Sequence, residues 1–315
     1  MADMTKTAVL GAGVIGASWT ALFLAAGKDV HVFDPSPTAE EDVKNYVENA
    51  WPTLMELGLA IDGQHGESRR GALRFFDDAG AAVQGCGFIQ ENVPEQIAIK
   101  HATFAHIEPH LDPDAIVCSS ASGLMVKEMQ EGWQNPGRFI LGHPFNPPHL
   151  IPLVELLAND KTDADVMGKA EAFYHEVGKV TIKVEKEVPG HVANRLQAAL
   201  WREAIHLVDE GVASLEDVDK AVWSGPGLRW AAMGPSMLFH LGAGKGGLAD
   251  FCTRYTPSFN RWWDDLGDPR LNPELADKLV AGVDAEAGDK SVSALSAERD
   301  QLITAMLKHS MKLRG

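Results

Sequence analysis

The sequence predicts an α/β chain: a doubly wound, mostly parallel sheet of the Rossmann type at the N-terminus, followed by an all-α C-terminal domain. Three observations carry this. A glycine-rich turn sits between two apolar runs near the N-terminus. Further short apolar runs alternate with helical patterns up to about residue 184. Beyond Pro189-Gly190 the pattern is helical only. At 315 residues the chain is longer than one core comfortably holds, so two domains are expected, 1–187 and 188–315.

Thr7-Ala-Val-Leu-Gly reads as a short buried strand. Gly11-Ala12-Gly13-Val14-Ile15-Gly16 then opens a helix that runs to about Ala26 and stops at Gly27. Asp29-Val-His-Val-Phe is the next strand and Asp34 closes it. Strand, GxGxxG, helix, strand and acid stand in the order and spacing of a dinucleotide-binding unit. Gly11 allows a tight turn, Gly13 lets the backbone approach a pyrophosphate, and Gly16 lets helix and strand pack closely. The helix N-terminus offers unpaired N–H groups and a partial positive charge to phosphates. A carboxylate at Asp34 accepts from ribose hydroxyls and repels a 2′-phosphate, which favours NAD over NADP. FAD shares the first ribose-binding element and stays open at this point.

The uncharged stretch from Thr7 to Gly27 is long enough to span a bilayer. Its fixed glycine pattern and the strand that follows favour a buried strand, turn and helix instead. No membrane segment is therefore expected. A formal net charge of −16 repels nucleic-acid backbones, so nucleic acid is not expected as a partner. Cys86, Cys118 and Cys252 are widely spaced and odd in number. That supports neither a metal site nor a disulfide framework, and it fits a reducing cytoplasm.

Three further strand-like runs lead into polar loops. Gly87-Phe-Ile-Gln-Glu precedes Asn92-Val-Pro-Glu95, and Ala115-Ile-Val-Cys118 precedes Ser119-Ser-Ala-Ser122-Gly. Phe139-Ile-Leu-Gly precedes His143-Pro-Phe-Asn146-Pro-Pro. Gln96 to Ile107 reads as one of the intervening helices. Ser122, His143 and Asn146 thus fall at C-terminal strand ends, where open α/β sheets bind ligands. Glu155 follows His143 by twelve residues, inside the apolar run Leu153-Val-Glu-Leu-Leu. A buried acid needs a partner. If that partner is His143, the carboxylate fixes the tautomer and leaves the other ring nitrogen to accept a proton. Spacing leaves the alternative open, a structural histidine with Glu155 paired elsewhere. In the C-terminal half, His191 to Glu210 reads as one long helix stopped by Gly211, and Leu215 begins another.

These motifs, with Pro189-Gly-His-Val-Ala-Asn194-Arg, resemble the 3-hydroxyacyl-CoA dehydrogenase family in order and over nearly the whole chain. The resemblance implies NAD as cofactor, His143 as catalytic base, Glu155 orienting it, and Ser122 and Asn194 on the substrate oxygen. It also implies cofactor contacts at Glu95, Lys100 and Asn146, and a helical second domain that forms a homodimer. The chain departs from the family pattern in three places. The usual Asn-Thr-Ser-Ser reads Ser120-Ala-Ser122-Gly. The usual Gly-Tyr-Pro-Met-Gly-Pro reads Gly225-Pro-Gly-Leu-Arg229-Trp230-Ala-Ala-Met-Gly234-Pro235. The C-terminal Gly-Phe-Tyr element is replaced by a charged helix around Ala297-Glu-Arg-Asp.

After the second strand, where acyl-CoA users carry basic residues, stands Pro35-Ser-Pro-Thr-Ala-Glu-Glu-Asp; Arg69 and Arg70 come later. These departures resemble the branch that oxidises free 3-hydroxy acids such as L-gulonate and L-carnitine. Arg229 is then expected to clamp a carboxylate in bidentate fashion. The runs Gly225–Pro235 and Phe239–Gly247 are most similar to members acting on L-carnitine, whose trimethylammonium group aromatic faces attract. Trp230 and Phe239 are the first candidates. L-Gulonate, a short acyl-CoA, and a catalytically silent NAD-binding protein remain as alternatives.

Overall fold

The computed structural model describes residues 3–60 and 71–314. Arg69 and Arg70 lie outside the described residues. Two compact units are present: residues 1–192 with 300–313, and residues 193–299.

Among the described residues the first unit has eight strands: β1 (Lys6–Leu10), β2 (Asp29–Phe33), β3 (Leu73–Phe76), β4 (Phe88–Glu91), β5 (Ile116–Ser119), β6 (Phe139–Pro144), β7 (Leu153–Leu157) and β8 (Val180–Lys183). Its helices are α1 (Val14–Ala25), α2 (Ala39–Glu56), α3 (Ala79–Val83), α4 (Ile97–Ile107), α5 (Val126–Gln130) and α6 (Val166–Glu176). The strands form one sheet in the order β3-β2-β1-β4-β5-β6-β7-β8. Every neighbouring pair is parallel except β6 and β7. The doubly wound, mostly parallel sheet is as the sequence predicts. Strand β3 was not read from the sequence, because Leu73-Arg-Phe-Phe is short and only half-buried.

Strand order reverses between β1 and β4, which pair with Thr7 opposite Phe88. The crevice at the carboxyl ends of these strands is the ordinary ligand position of such sheets. Alternating strand residues supply two cores. Val9, Phe88, Cys118 and Ile140 face α1, α2 and α6, where Phe88 stacks on Phe173 at 3.7 Å. Leu10, Ile89, Val117 and Leu141 face the other side with Phe104 and Trp133. Fully burying one such large side chain stabilises by about 1.5–3 kcal/mol.

The uncharged run at the N-terminus is explained by α1. Its residues from Gly16 to Ala25 are all buried, so it has no polar face. No helix among the described residues is long and apolar enough to cross a membrane.

The second unit contains α7 (Ala193–Asp209), α8 (Leu215–Ser224), α9 (Pro226–Ala232), α10 (Pro235–Gly242), α11 (Gly247–Asp265) and α12 (Pro273–Ala287), and no strand among its residues. Ser214 caps α8 by accepting from the Asp217 N–H at 3.1 Å, and Asn272 caps α12. Helix α7 starts two residues later than the periodicity suggested. Gly190 and His191 both have positive φ, 74° and 51°, which a right-handed helix cannot accommodate. The last helix, α13 (Val292–Arg314), runs from the second unit into the first, where Thr304 is buried and Lys308 pairs with Glu56 at 3.1 Å.

Candidate active site

The glycine turn is shaped by its neighbours. Gly11 has φ +83°, and a Cβ there would lie 2.6 Å from the Asn92 carbonyl oxygen. A Cβ on Gly16 would lie 1.8 Å from the Gly11 carbonyl oxygen, so the helix can meet the strand only with glycine there. Gly13 differs: a Cβ there would meet nothing within 4 Å. Gly13 is the N-cap of α1 and no side chain caps that end. Open space beside the uncapped N-terminus of a buried helix suits a pyrophosphate. Asp34, at the end of β2, accepts from the Ala12 N–H at 2.6 Å and from the Ser36 N–H at 2.8 Å. The acid is thereby fixed beside the turn. Val14 and Ile15 begin α1, with Val14 exposed.

His143 and Glu155 meet across the antiparallel β6–β7 pair, directly opposite in register. His143 Nδ1 lies 2.8 Å from Glu155 Oε2. Glu155 is fully buried and His143 is 5% exposed. Glu155 Oε1 accepts from the Val192 N–H at 2.9 Å. The preceding residue, Gly142, must be small, since a Cβ there would come within 2.2 Å of the Tyr174 hydroxyl. That hydroxyl donates to Gln90 Oε1 at 2.6 Å. Gln90 Nε2 donates to Ser120 Oγ at 2.8 Å, and Ser120 Oγ donates to Asn92 Oδ1 at 2.7 Å. A polar chain thus links Tyr174 of α6 to the ends of β4 and β5.

His191 also belongs to this neighbourhood, and the sequence reading gave it no role. Its ring centroid is 5.4 Å from that of His143. It is 3% exposed, and neither ring nitrogen has a hydrogen-bond partner among the described residues. An unsatisfied buried polar group costs about 1–3 kcal/mol. A left-handed non-glycine backbone adds a cost of the same order, about 1–3 kcal/mol. Burial holds the imidazole below its ordinary pKa, and the neighbouring His143 pushes the same way. Glu155, Glu187 and Glu95 act in the opposite direction.

Ser122 lies in the loop between β5 and α5. Its hydroxyl donates to Glu95 Oε2 at 3.0 Å and its N–H donates to Glu95 Oε1 at 2.8 Å. Glu95 also accepts from the N–H groups of Gly123 and Leu124. Burial raises the Glu95 carboxyl, but these bonds outweigh it and hold the pKa below the ordinary value. Lys100 is 1% exposed and donates to both Glu91 oxygens, at 2.7 and 2.8 Å, and to the Val93 carbonyl at 3.3 Å. Its ammonium is therefore engaged inside the protein, holding the β4 end in place. Asn146 is exposed, on the loop after β6 and before a cis Asn146–Pro147 bond.

In the second unit, Asn194 is half-buried in the first turn of α7. Arg229 and Trp230 are exposed on α9. Phe239, on α10, stacks on Phe251 at 4.6 Å and meets Phe259 edge-on. It is one member of an aromatic cluster with Tyr255, Trp262 and Trp263. Among the described residues no group of acids, histidines and cysteines is arranged to hold a metal ion.

Comparison with known proteins shows the family. The NAD-binding domain of 3-hydroxyacyl-CoA dehydrogenase matches residues 6–188, and the C-terminal domain of the same enzymes matches residues 190–283. An L-carnitine dehydrogenase of Streptomyces coelicolor is 42% identical over 99% of this chain and 96% of its own length. One from Pseudomonas putida is 40% identical, over 97% and 94%. Among solved structures, FHMPC 5-dehydrogenase, an NAD+ dependent dismutase, is 29% identical with a TM-score of 0.83, covering 98% of this chain and 99% of the other. The cofactor is NAD, and the glycine turn and Asp34 fit it. With both domains matched in order along nearly all of its length, the chain belongs to the 3-hydroxyacyl-CoA dehydrogenase family, NAD-dependent oxidoreductases that act on a CH–OH group.

Proposed function

We propose that the protein oxidises L-carnitine to 3-dehydrocarnitine with NAD. The observation that carries the chemistry is the buried His143–Glu155 pair, 2.8 Å apart. The substrate rests on the similarity to L-carnitine dehydrogenases along nearly the whole chain.

Glu155 occupies Nδ1 of His143, which leaves Nε2 as the proton acceptor. Nε2 takes the hydroxyl proton as the carbinol C–H bond breaks, and the carbinol becomes a ketone. Bound NAD supplies the hydride acceptor. The imidazolium formed is stabilised by the Glu155 carboxylate and later returns its proton to solvent. Gly11, Ala12, Gly13, Val14, Ile15, Gly16 and Asp34 would hold the adenosine and pyrophosphate. Glu95 and Asn146 would contact the cofactor directly, and Lys100 would serve it by fixing the end of β4. Ser122 and Asn194 would hold the reacting oxygen. Arg229 would bind the carboxylate, and Trp230 with Phe239 the trimethylammonium group, at about 0.5–2 kcal/mol per good cation–π contact.

Residues 1–187 would serve the cofactor, and 188–315 the substrate and dimerisation. Homodimerisation is supported by large apolar side chains exposed in the second unit, among them Leu196, Trp201, Trp223 and Trp263. The three free cysteines suit a reducing cytoplasm.

The test is a panel of initial rates with NAD, read by NADH absorbance, on L-carnitine, L-gulonate and 3-hydroxybutyryl-CoA. L-Carnitine should give the highest kcat/KM. Faster turnover of either competitor would reassign the substrate, and no turnover at all would favour a silent NAD-binding protein.

A further inference from the structure

His191 is buried beside His143 with both ring nitrogens unclaimed by protein atoms. A left-handed backbone at a non-glycine residue holds it there. The adjacent Val192 N–H is the group that fixes Glu155. Mere packing against His143 would be served equally well by an apolar ring of the same size, with no polar atoms to leave unpaired. Neither nitrogen is claimed by the described residues, so a ligand bound beside His143 would supply a partner. Burial lowers the pKa of His191, with His143 acting in the same direction, so the ring stands neutral, with one donor and one acceptor.

We propose that His191 is a substrate-binding residue that donates a hydrogen bond to the carboxylate of a free 3-hydroxy acid. This rests on the reading of His143 as the base. In a 3-hydroxy acid the hydroxyl and carboxylate sit on carbons separated by a single methylene. A substrate whose hydroxyl faces His143 therefore carries its carboxylate to a group one ring away. His191, at 5.4 Å between ring centroids, is such a group. A CoA thioester has no carboxylate at that position, so His191 would favour free acids over thioesters. The left-handed turn at Gly190-His191 is then the device that keeps this ring out of α7 and beside the base.

The test compares His191→Phe and His191→Asn with wild type, measuring KM and kcat for L-carnitine, KM for NAD, and thermal melting without ligand. His191→Phe keeps a ring of similar size and loses both nitrogens. It should raise the KM for L-carnitine about 10–100-fold, the range for a hydrogen bond to a charged group. The KM for NAD should not change, and the melting temperature should hold or rise, since no buried nitrogen is left unpaired. His191→Asn should recover part of the loss. With the methyl ester of L-carnitine, which lacks the charge, the difference between wild type and His191→Phe should largely disappear.

An unchanged KM for L-carnitine in His191→Phe would overturn the proposal. So would a parallel loss of NAD binding and melting temperature, which marks a structural role. Full turnover in His143→Gln would refute the base instead. A wild-type enzyme active on another free 3-hydroxy acid would refute carnitine, and the same comparison on that acid would decide His191. Activity on the CoA thioester alone, or on nothing in the panel, would overturn both readings.

Discussion

His143 and Glu155 stand directly opposite each other on β6 and β7, with Nδ1 and Oε2 2.8 Å apart. They lie on the one antiparallel strand pair among the described residues. Only this reversal brings a residue twelve positions later in the chain back alongside the imidazole. A slip of one residue in that register would turn Glu155 to the opposite face. The position of the acid is therefore a consequence of strand pairing, and the loop between the strands need only return the chain.

The first prediction concerns His143→Gln. Glutamine can still hydrogen-bond to Glu155 but cannot accept the substrate proton. Turnover should fall about 10²–10⁴-fold, the range for losing a general base. The dissociation constant for NAD, read by NADH fluorescence titration, should stay near the wild-type value, because the glycine turn and Asp34 are untouched. Near-normal turnover would remove His143 as the base.

Glu155 should show two separable effects. Glu155→Gln keeps the shape and an acceptor for the Val192 N–H, but it removes the charge that stabilises the imidazolium. It should lower kcat with little loss of melting temperature. Glu155→Ala leaves the buried His143 Nδ1 and the Val192 N–H unpaired, and it opens a cavity. It should lose several kcal/mol of stability as well. Calorimetry beside steady-state kinetics separates the two, and equal melting losses in both variants would contradict the charge argument.

Much of this site was legible in the sequence because its parts are local. The turn from Gly11 to Gly16 and the acid at Asp34 lie within one strand–helix–strand unit, and glycine spacing reports its backbone directly. Glu155 was readable as an acid among apolar residues, although only the fold shows that its partner is His143. His191 was not readable. Its significance depends on a left-handed backbone, on burial and on a neighbour 48 positions earlier, and no periodicity records these. Lys100 was legible as a position but not in its pairing, since Glu91 reaches it across the end of β4. Half-buried β3 lacked the apolar run by which the central strands announce themselves.

The pH dependence of stability should carry a signature of Glu95. Burial raises its carboxyl, but hydrogen bonds from Gly123, Ser122 and Leu124 prevail and lower the folded-state pKa below the ordinary 4.5. A lowered acid pKa gives stability that is complete above the unfolded value and lost as pH falls through the folded one. The melting temperature of wild type should exceed that of Glu95→Gln around neutral pH. The gap should close as pH falls through the folded-state pKa, once the carboxyl is protonated in both states. A gap that persists in acid would mean that the charge of Glu95 plays no part.

Arg229 tests substrate recognition in the second unit. A bidentate clamp cannot be reproduced by the single ammonium of lysine. Arg229→Lys should raise the KM for L-carnitine by about tenfold, and Arg229→Ala further, with the KM for NAD unchanged. Equal effects on both substrates would point to a structural arginine.

The last two glycines of the turn should fail in different ways. At Gly16 a methyl group would fall 1.8 Å from the Gly11 carbonyl oxygen, a backbone atom that cannot swing aside. Gly16→Ala must push α1 off β1, in the centre of the fold, and should melt far below wild type or fail to fold. At Gly13 the same methyl meets nothing within 4 Å, so Gly13→Ala should fold and melt like wild type. Its methyl would nevertheless occupy the space through which the backbone meets the pyrophosphate. NAD affinity should therefore fall about tenfold or more, a loss of at least ~1.4 kcal/mol. Melting curves and NADH titration on the pair separate the glycine that packs the helix from the glycine that admits the cofactor. A Gly13→Ala protein with normal NAD affinity would mean that the pyrophosphate does not cross this turn.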